Sequence, residues 1–390
     1  MRKTNFTFLV TLVTLFTATF ISAQSQCPEF QPSQNIFAGL EIGSRGMKPS
    51  IVRFEEAESG KTSFIVLSRD LSPMNTNPAK AKTREDIDCT VDRIARYVNV
   101  FRNDPYNVPD SRISLIISSG LKAKLLDAGK DSLLLYLKDR VKRMTNLSMI
   151  EISDKEEGDF KVQNLMVDEE YPFPTVNVLD IGSGNVTGGF ASKTSSSSYA
   201  TDAAINNMAT YAKDEMAKRG LSIKIPRDRS QIAQLVSDKF QAQCLGQIKL
   251  SDNPTQLVTG GGMNFVMMSW FKAESFSEKR LNPFFQTYVY DFYTQLINST
   301  NNEEFFKNNR AKDNSPLSWK GKQRLKDAQA IFNDTELLVG AAIMKTIYDD
   351  LVKRGVKEFY FDDQMLNSGL RYFQYQKYKN AKSASTSSTN

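Results

Sequence analysis

The sequence carries one short pattern twice. The segments FAGLEIGSRGMKPSIVRF (37–54) and VNVLDIGSGNVTGGFAS (176–192) each read as an apolar strand, an acid, an apolar residue, Gly-Ser, a further small turn and a second strand. They look like two copies of one hairpin, and their acids, Glu41 and Asp180, lie about a domain length apart. A chain built this way is expected to form two related domains, and a length of 390 residues carries the same expectation.

Around the hairpins the chain alternates in type. A strand is expected in 61–70, a helix over 83–103, a buried strand over 113–118, a helix over 132–144 and a strand over 148–153. The second half repeats the logic, with helical spacing at 202–218, 227–243 and 284–297 and a strand-like run before Gly260. The cleanest helix is 334–355, where Asn333 and Glu336 form a capping box and Lys353, Arg354 and Gly355 close the end. A strand over 356–361 follows, and the Ser-rich stretch 192–200 reads as the exposed tip or exit of the second hairpin. This alternation predicts an α/β fold with mixed sheets, duplicated around a central cleft. The expected boundaries are a first domain at 35–158, a second at 159–375 and a disordered tail at 376–390.

Composition narrows the chemistry. There is no histidine, which excludes Ser-His-Asp and Cys-His nucleophile pairs and His-ligated zinc or haem. Cys27, Cys89 and Cys244 are too few for a four-thiolate site, and their pairing is left open. What remains is chemistry by carboxylates, amines, hydroxyls, backbone amides and a hard cation held by oxygen. At the start, Arg2 and Lys3 precede an apolar run from about Phe6 to Ile21, then Ser22-Ala23 and polar Gln24-Ser25-Gln26. That is the order of a secretory signal ending at Ala23, followed by a linker at 24–34, and it predicts an exported protein, periplasmic or secreted, with no membrane span after cleavage. The formal net charge of +6 permits an anionic ligand.

Each hairpin sets a carboxylate at a strand end beside a turn of small residues. Backbone amides of such turns, Gly43, Ser44, Arg45 and Gly46 in the first and Gly182, Ser183, Gly184 and Asn185 in the second, can converge on phosphate oxygens. Glu41 and Asp180 can hold Mg²⁺. A third cluster, Gly260, Gly261 and Gly262, is either a close approach of backbone to phosphate or a packing turn. Glu156 and Glu157 read as a charged turn at the exit of strand 148–153, or as a carboxylate that directs a water. Lys122 is either a phosphate-facing cation or a surface lysine.

In this order, the segments resemble the exopolyphosphatase and guanosine-pentaphosphate phosphatase family of the actin, sugar-kinase and heat-shock-chaperone superfamily. LEIGSRG resembles its first phosphate loop, SLIISSGLKAK its Ala-Thr-Ser-Ala-Leu-Arg segment, IEISDKEEGDF its Ile-Ser-Gly-x-Glu-Glu-Ala, and LDIGSGNVT its second loop Asp-Ile-Gly-Gly-Gly-Ser-Thr-Glu. The stretch 335–372 resembles its C-terminal helix, strand and Ser-Asp-x-x-Leu-Arg-Glu-Gly ending. The resemblance implies two ribonuclease H-like (actin-like ATPase) domains and Mg²⁺-assisted hydrolysis of a terminal phosphoanhydride. In that scheme Glu157 directs water, Lys122 or Arg45 offsets charge, Glu41 and Asp180 hold Mg²⁺, and the loop amides cradle phosphate.

The departures are specific. Glu41 stands for Asp, Arg45-Gly46 for Asn-Ser, Lys122 for Arg, Asn185-Val186-Thr187 for Ser-Thr-Glu and Asn367-Ser368 for Arg-Glu. Thr187 removes a carboxylate expected near the metal, and Lys122 lacks the fork of Arg. The resemblance implies an exopolyphosphatase-like hydrolase, and the expected export makes polyphosphate the favoured polyanion. The alternatives are a relative that binds a phosphate-rich ligand or a protein without turnover, and a nucleotide switch. Nucleic acid is not an expected partner, and a homodimer is left open.

Overall fold

The computed structural model describes residues 35–44, 46–56, 62–67, 78–168, 171–201, 204–272, 281–307, 317–362, 365 and 368–387. The signal and linker expected over 1–34, with Cys27, and also Arg45, Asn367 and residues 388–390, lie outside the described residues.

The first hairpin is β1 (Ile36–Ile42) and β2 (Met47–Glu56), extended by β3 (Thr62–Val66). Two parallel strands, β4 (Ile113–Ile117) and β5 (Met149–Glu151), complete a sheet of order β3-β2-β1-β4-β5. The second hairpin, β6 (Val176–Ile181) and β7 (Val186–Ala191), repeats the plan with β8 (Ser196–Thr201), β9 (Gln256–Gly260), β10 (Leu281–Phe284) and β11 (Glu358–Asp362). Its order is β10-β11-β9-β6-β7-β8, with β9 parallel to both β6 and β11, and β10 antiparallel to β11 at the edge. The duplication expected from the two hairpins is therefore present as two mixed sheets that share a five-strand order, the second extended at its edge by β10. The stretch 192–200 is more than a hairpin tip, because its Ser-Ser-Ser-Tyr-Ala run pairs as β8 along the whole of β7.

Helices cover both sheets. On the outer face of the first lie α1 (Arg84–Arg102) and α3 (Asp131–Thr145), with α2 (Ser119–Asp127) between them in sequence. Ile36, Ala38, Leu40 and Ile42 of β1 join Val91, Ile94, Leu137 and Val141 in that core. The outer face of the second sheet packs on α5 (Ile205–Arg219), α6 (Pro226–Gln243), α7 (Gly261–Lys272), α8 (Gln286–Asn298) and α11 (Asp334–Lys353), with the short α9 (Asn302–Lys307) and α10 (Trp319–Ile331) beside them. The capping boxes at Thr83/Asp86 and Asn333/Glu336 start α1 and α11. Among the described residues no helix is long and apolar enough to cross a membrane.

The inner faces of the two sheets share one layer of two helices, α4 (Asp154–Val167) and α12 (Ser368–Ser387), which pack on each other. Two-residue strand alternation decides what points there. Phe37, Gly39 and Glu41 face inward from β1, opposite to the residues buried under α1 and α3. Val176 and Val178 point toward Val162 and Leu165 of α4, and Asp180 shares their face of β6. Both acids are thus aimed at the middle layer by the pleat.

This layer revises the expected boundaries. A division at residue 158 would cut α4, which is one uninterrupted helix lying against β7 and β8. The tail expected to be disordered over 376–390 is helical to Ser387. Its aromatic residues have a place to go: Tyr375 and Tyr378 pack with Phe37, Val52 and Phe54, and Tyr378 stacks on Phe54 at 5.1 Å. Lys377 also donates to the Ile113 carbonyl at 3.0 Å. Replacing Tyr378 by Ala is expected to cost about 3 kcal/mol of stability, as for other buried aromatic truncations. Denaturant melts measure this, whereas a frayed tail would leave the midpoint unchanged.

Candidate functional site

Three helices begin at the same place. Ser118 caps α2, Ser153 caps α4, and α7 starts directly from Gly261 at the end of β9. Each helix start carries unpaired amides and about half a positive charge, so carboxylates are stabilised there. The segment SDKEEGDF forms no charged turn. Ser153 and Glu156 close a reciprocal capping box, the Glu156 carboxylate accepting from the Ser153 amide at 2.8 Å. That commits Glu156 to the helix start and turns Glu157, one residue on, toward the interior.

Glu157 accepts a hydrogen bond from the Ser119 hydroxyl at 2.5 Å and one from the Lys161 ammonium at 2.9 Å. Lys161, one helical turn later and 5% exposed, also reaches Asp180 at 2.5 Å and donates to the Thr187 hydroxyl at 2.8 Å. Its three partners match the three protons of an ammonium. Asn185 adds a second bridge, donating to Ser119 at 3.0 Å and to Asp154 at 2.8 Å. The network joins α2 of the first domain, the central α4 and the second hairpin.

Two glycines permit this closeness. A Cβ on Gly158 would lie 3.0 Å from the Gly188 carbonyl and 3.1 Å from the Tyr199 carbonyl, so glycine there lets α4 settle on β7 and β8 without pushing those strands back. Gly261 has φ +87°, and a Cβ on it would lie 2.2 Å from the Asp180 carboxylate. The start of α7 is therefore pressed against Asp180. Gly260 and Gly262 serve packing instead, facing Met365 and Phe332. Of the third glycine cluster, one residue of three borders the acids.

The first hairpin repeats the arrangement. Lys48 lies opposite Glu41 in the strand register and pairs with it at 2.7 Å, as Thr187 lies opposite Asp180 at the same offset in the second hairpin. The hairpin turns close through Gly43 N–H to the Gly46 carbonyl at 2.8 Å and Gly182 N–H to the Asn185 carbonyl at 3.0 Å. Ser44, Ser183 and Gly184 form the turn tips outside those closing bonds. Gly184 touches the first domain at Gly120, where a Cβ on either would come within 3.9 Å of the other's Cα. Lys122 is directed elsewhere: its ammonium pairs with Glu151 at 2.9 Å, which Lys138 also binds at 2.7 Å.

Electrostatics follow from burial and pairing. Burial pushes the Glu157 carboxyl up, but the Lys161 charge and the Ser119 and Lys161 hydrogen bonds outweigh it and hold the group at about 2. Burial alone would lower the Lys161 ammonium, yet Asp180 and Glu157 raise it above the ordinary lysine value. Burial likewise opposes Lys48, which Glu41, and then Glu157 and Asp180, raise. Lys48 is thus within electrostatic reach of all three carboxylates.

The fit to Mg²⁺ is poor. Among the described residues no three Asp, Glu, Cys or His side chains converge as a metal site. Both expected ligands are already neutralised, Glu41 by Lys48 and Asp180 by Lys161. A dication about 4 Å from an ammonium would be repelled by on the order of 8 kcal/mol at an effective dielectric of 20. Thr187 supplies a hydroxyl, and Lys161 uses it.

Lys161, Lys48, Ser119 and Asp154 escaped the sequence reading, although signals for them exist. Glu157 and Lys161 are four apart, Ser153 and Glu156 have capping-box spacing, and Lys48 sits across the first hairpin from Glu41. Cys89 is exposed, Cys244 is buried, and both are free.

The pairing has a pH signature. A depressed carboxyl contributes stability above its unfolded value near 4.5, and that contribution is lost as pH falls toward 2. A raised ammonium contributes fully below 10.5. Glu157→Gln is therefore expected to destabilise the protein by about 3 kcal/mol at a level flat from pH 5 to 9 and shrinking below pH 4.5. Chemical denaturation across that range measures the difference, and a flat profile down to pH 3 would contradict it.

Neither a family model nor a curated protein matches the sequence. Solved structures do match. The Ppx/GppA family member from Aquifex aeolicus aligns with a TM-score of 0.61 at 15% identity, over 88% of this chain and 98% of that one. The type II variant of the Aquifex aeolicus Ppx/GppA phosphatase gives 0.58 at 14% identity, over 87% and 99%. An exopolyphosphatase from Cytophaga hutchinsonii gives 0.57 at 13%, over 86% and 96%. At these identities the agreement is one of fold. This chain has the two-domain, actin-like fold of the Ppx/GppA family, the family that its motifs resemble.

Proposed function

We propose that this is an exported protein of Ppx/GppA fold that binds a phosphate-chain anion in the cleft between its domains without hydrolysing it. One observation carries the reading: the Lys161 ammonium occupies Glu157, Asp180 and Thr187 together. A general base works best with a proton affinity matched to the working pH. Glu157, held near 2 and hydrogen-bonded on both oxygens, has little affinity for the proton of an attacking water. The loss of a carboxylate at position 187 acts in the same direction.

Binding has separate support. The starts of α2 and α4 meet the second hairpin through Ser119, Glu157 and Asn185, and α7 starts against Asp180; helix starts favour anions. Lys48, about one-third exposed, adds a charge at the rim. Polyphosphate is the favoured ligand, because the exopolyphosphatase from Cytophaga hutchinsonii shares the fold and the signal-like leader argues for a compartment without cytoplasmic nucleotides. Arg45, outside the described residues, stays a candidate phosphate contact on its place in the first turn.

The test pairs binding with turnover. Calorimetry of the mature chain with long polyphosphate in EDTA is expected to show saturable binding, and phosphate release with Mg²⁺ to equal that of Glu157→Gln. Release that is at least tenfold faster in the wild type would establish the hydrolase instead. Absence of binding would remove the ligand assignment.

A further inference from the structure

We propose that Lys161 is the resident cation of this cleft, an ammonium held by the oxygens of Asp180, Glu157 and Thr187 that would otherwise be open to a divalent metal. The proposal rests on the same contacts as the binding reading. Its readout, however, is a metal response in the absence of phosphate, so the two can fail separately.

The geometry is that of a cation in a cage of oxygens. Nζ lies 2.5 Å from Asp180 Oδ2, 2.9 Å from Glu157 Oε1 and 2.8 Å from Thr187 Oγ1. Those donors come from three places, the end of β6, the first turn of α4 and the start of β7. A hard divalent ion prefers such donors, two carboxylates with a hydroxyl and water completing the shell. Here a side chain supplies the charge, anchored one helical turn from one of its own partners. Nothing else in the packing calls for an ammonium there: the same helix places Val162 and Leu165 in an apolar cluster, and a buried lysine costs desolvation unless partnered.

The first hairpin carries the same replacement. Lys48 pairs with Glu41 from the strand position equivalent to Thr187. Each of the two acids that could hold a metal therefore has its own lysine. The cleft keeps its cationic complement without drawing on solution metal, and its shape and charge are set when the chain folds.

Removing the ammonium should recreate a metal site. The probes are Mg²⁺ and Mn²⁺ at millimolar concentration, with KCl at matched ionic strength as control. The wild type is expected to show no divalent-specific change in melting temperature. Lys161→Ala, and Lys161→Met with a longer apolar stem, are expected to melt lower in EDTA and to gain roughly 3 °C or more with Mn²⁺, as a ligand specific for the folded state requires. Lys161→Arg, which keeps the charge, should gain nothing. If a variant does not fold in EDTA, recovery of its cooperative melt on adding Mn²⁺ supports the proposal and absence of recovery counts against it. Saturable Mg²⁺ or Mn²⁺ binding by the wild type, or folded Ala and Met variants indifferent to both ions, would overturn it.

Discussion

The contact on which the cleft depends is the bridge from Lys161 to Glu157 and Asp180. A buried ammonium, the buried carboxylate of Asp180 and the mostly buried one of Glu157 are each expensive to remove from water, and they are tolerable only together and fully hydrogen-bonded. Full bonding requires α4 to lie tight against β6, β7 and β8. Gly158 allows that approach, and Gly261 allows α7 to start against Asp180. The starts of α2 and α4 are then tied to the second hairpin through Ser119, Asp154 and Asn185. One set of charges thus fixes how the domains meet.

The same charges shape what the cleft can do. Glu157 occupies the position that the family resemblance assigns to water activation, but Ser119 and Lys161 hold both of its oxygens. Thr187, read from sequence as a lost carboxylate, is a hydrogen-bond acceptor for the lysine. The departure at Thr187 and the buried Lys161 form one unit, the hydroxyl accepting one of the ammonium's three hydrogen bonds.

Much of the fold was legible because the periodic signals are strong. The spacing at 83–103, 132–144 and 334–355 gave helices at Arg84–Arg102, Asp131–Thr145 and Asp334–Lys353, and the two acid-Gly-Ser hairpins gave the duplicated sheets. The middle layer was harder to read. In α4 a run of Asp, Lys and Glu looks like a solvated turn, because its polar face is buried by partners distant in sequence. In α12 the Tyr-rich, Lys-rich pattern has little periodicity of its own and gains order from Phe37 and Phe54 of β1 and β2.

The sequence alone determined the duplicated hairpins, a carboxylate at the strand end of each and the exclusion of imidazole chemistry, because these follow from residue type and local pattern. Tertiary structure decided which cation each acid receives. The sequence singles out Lys122 and passes over Lys161, yet Lys122 turns to Glu151 and Lys161 enters the cleft. Only the packing of α4 onto the second sheet brings an ammonium within reach of both carboxylates, and an interaction that falls off with distance cannot be read before those distances exist.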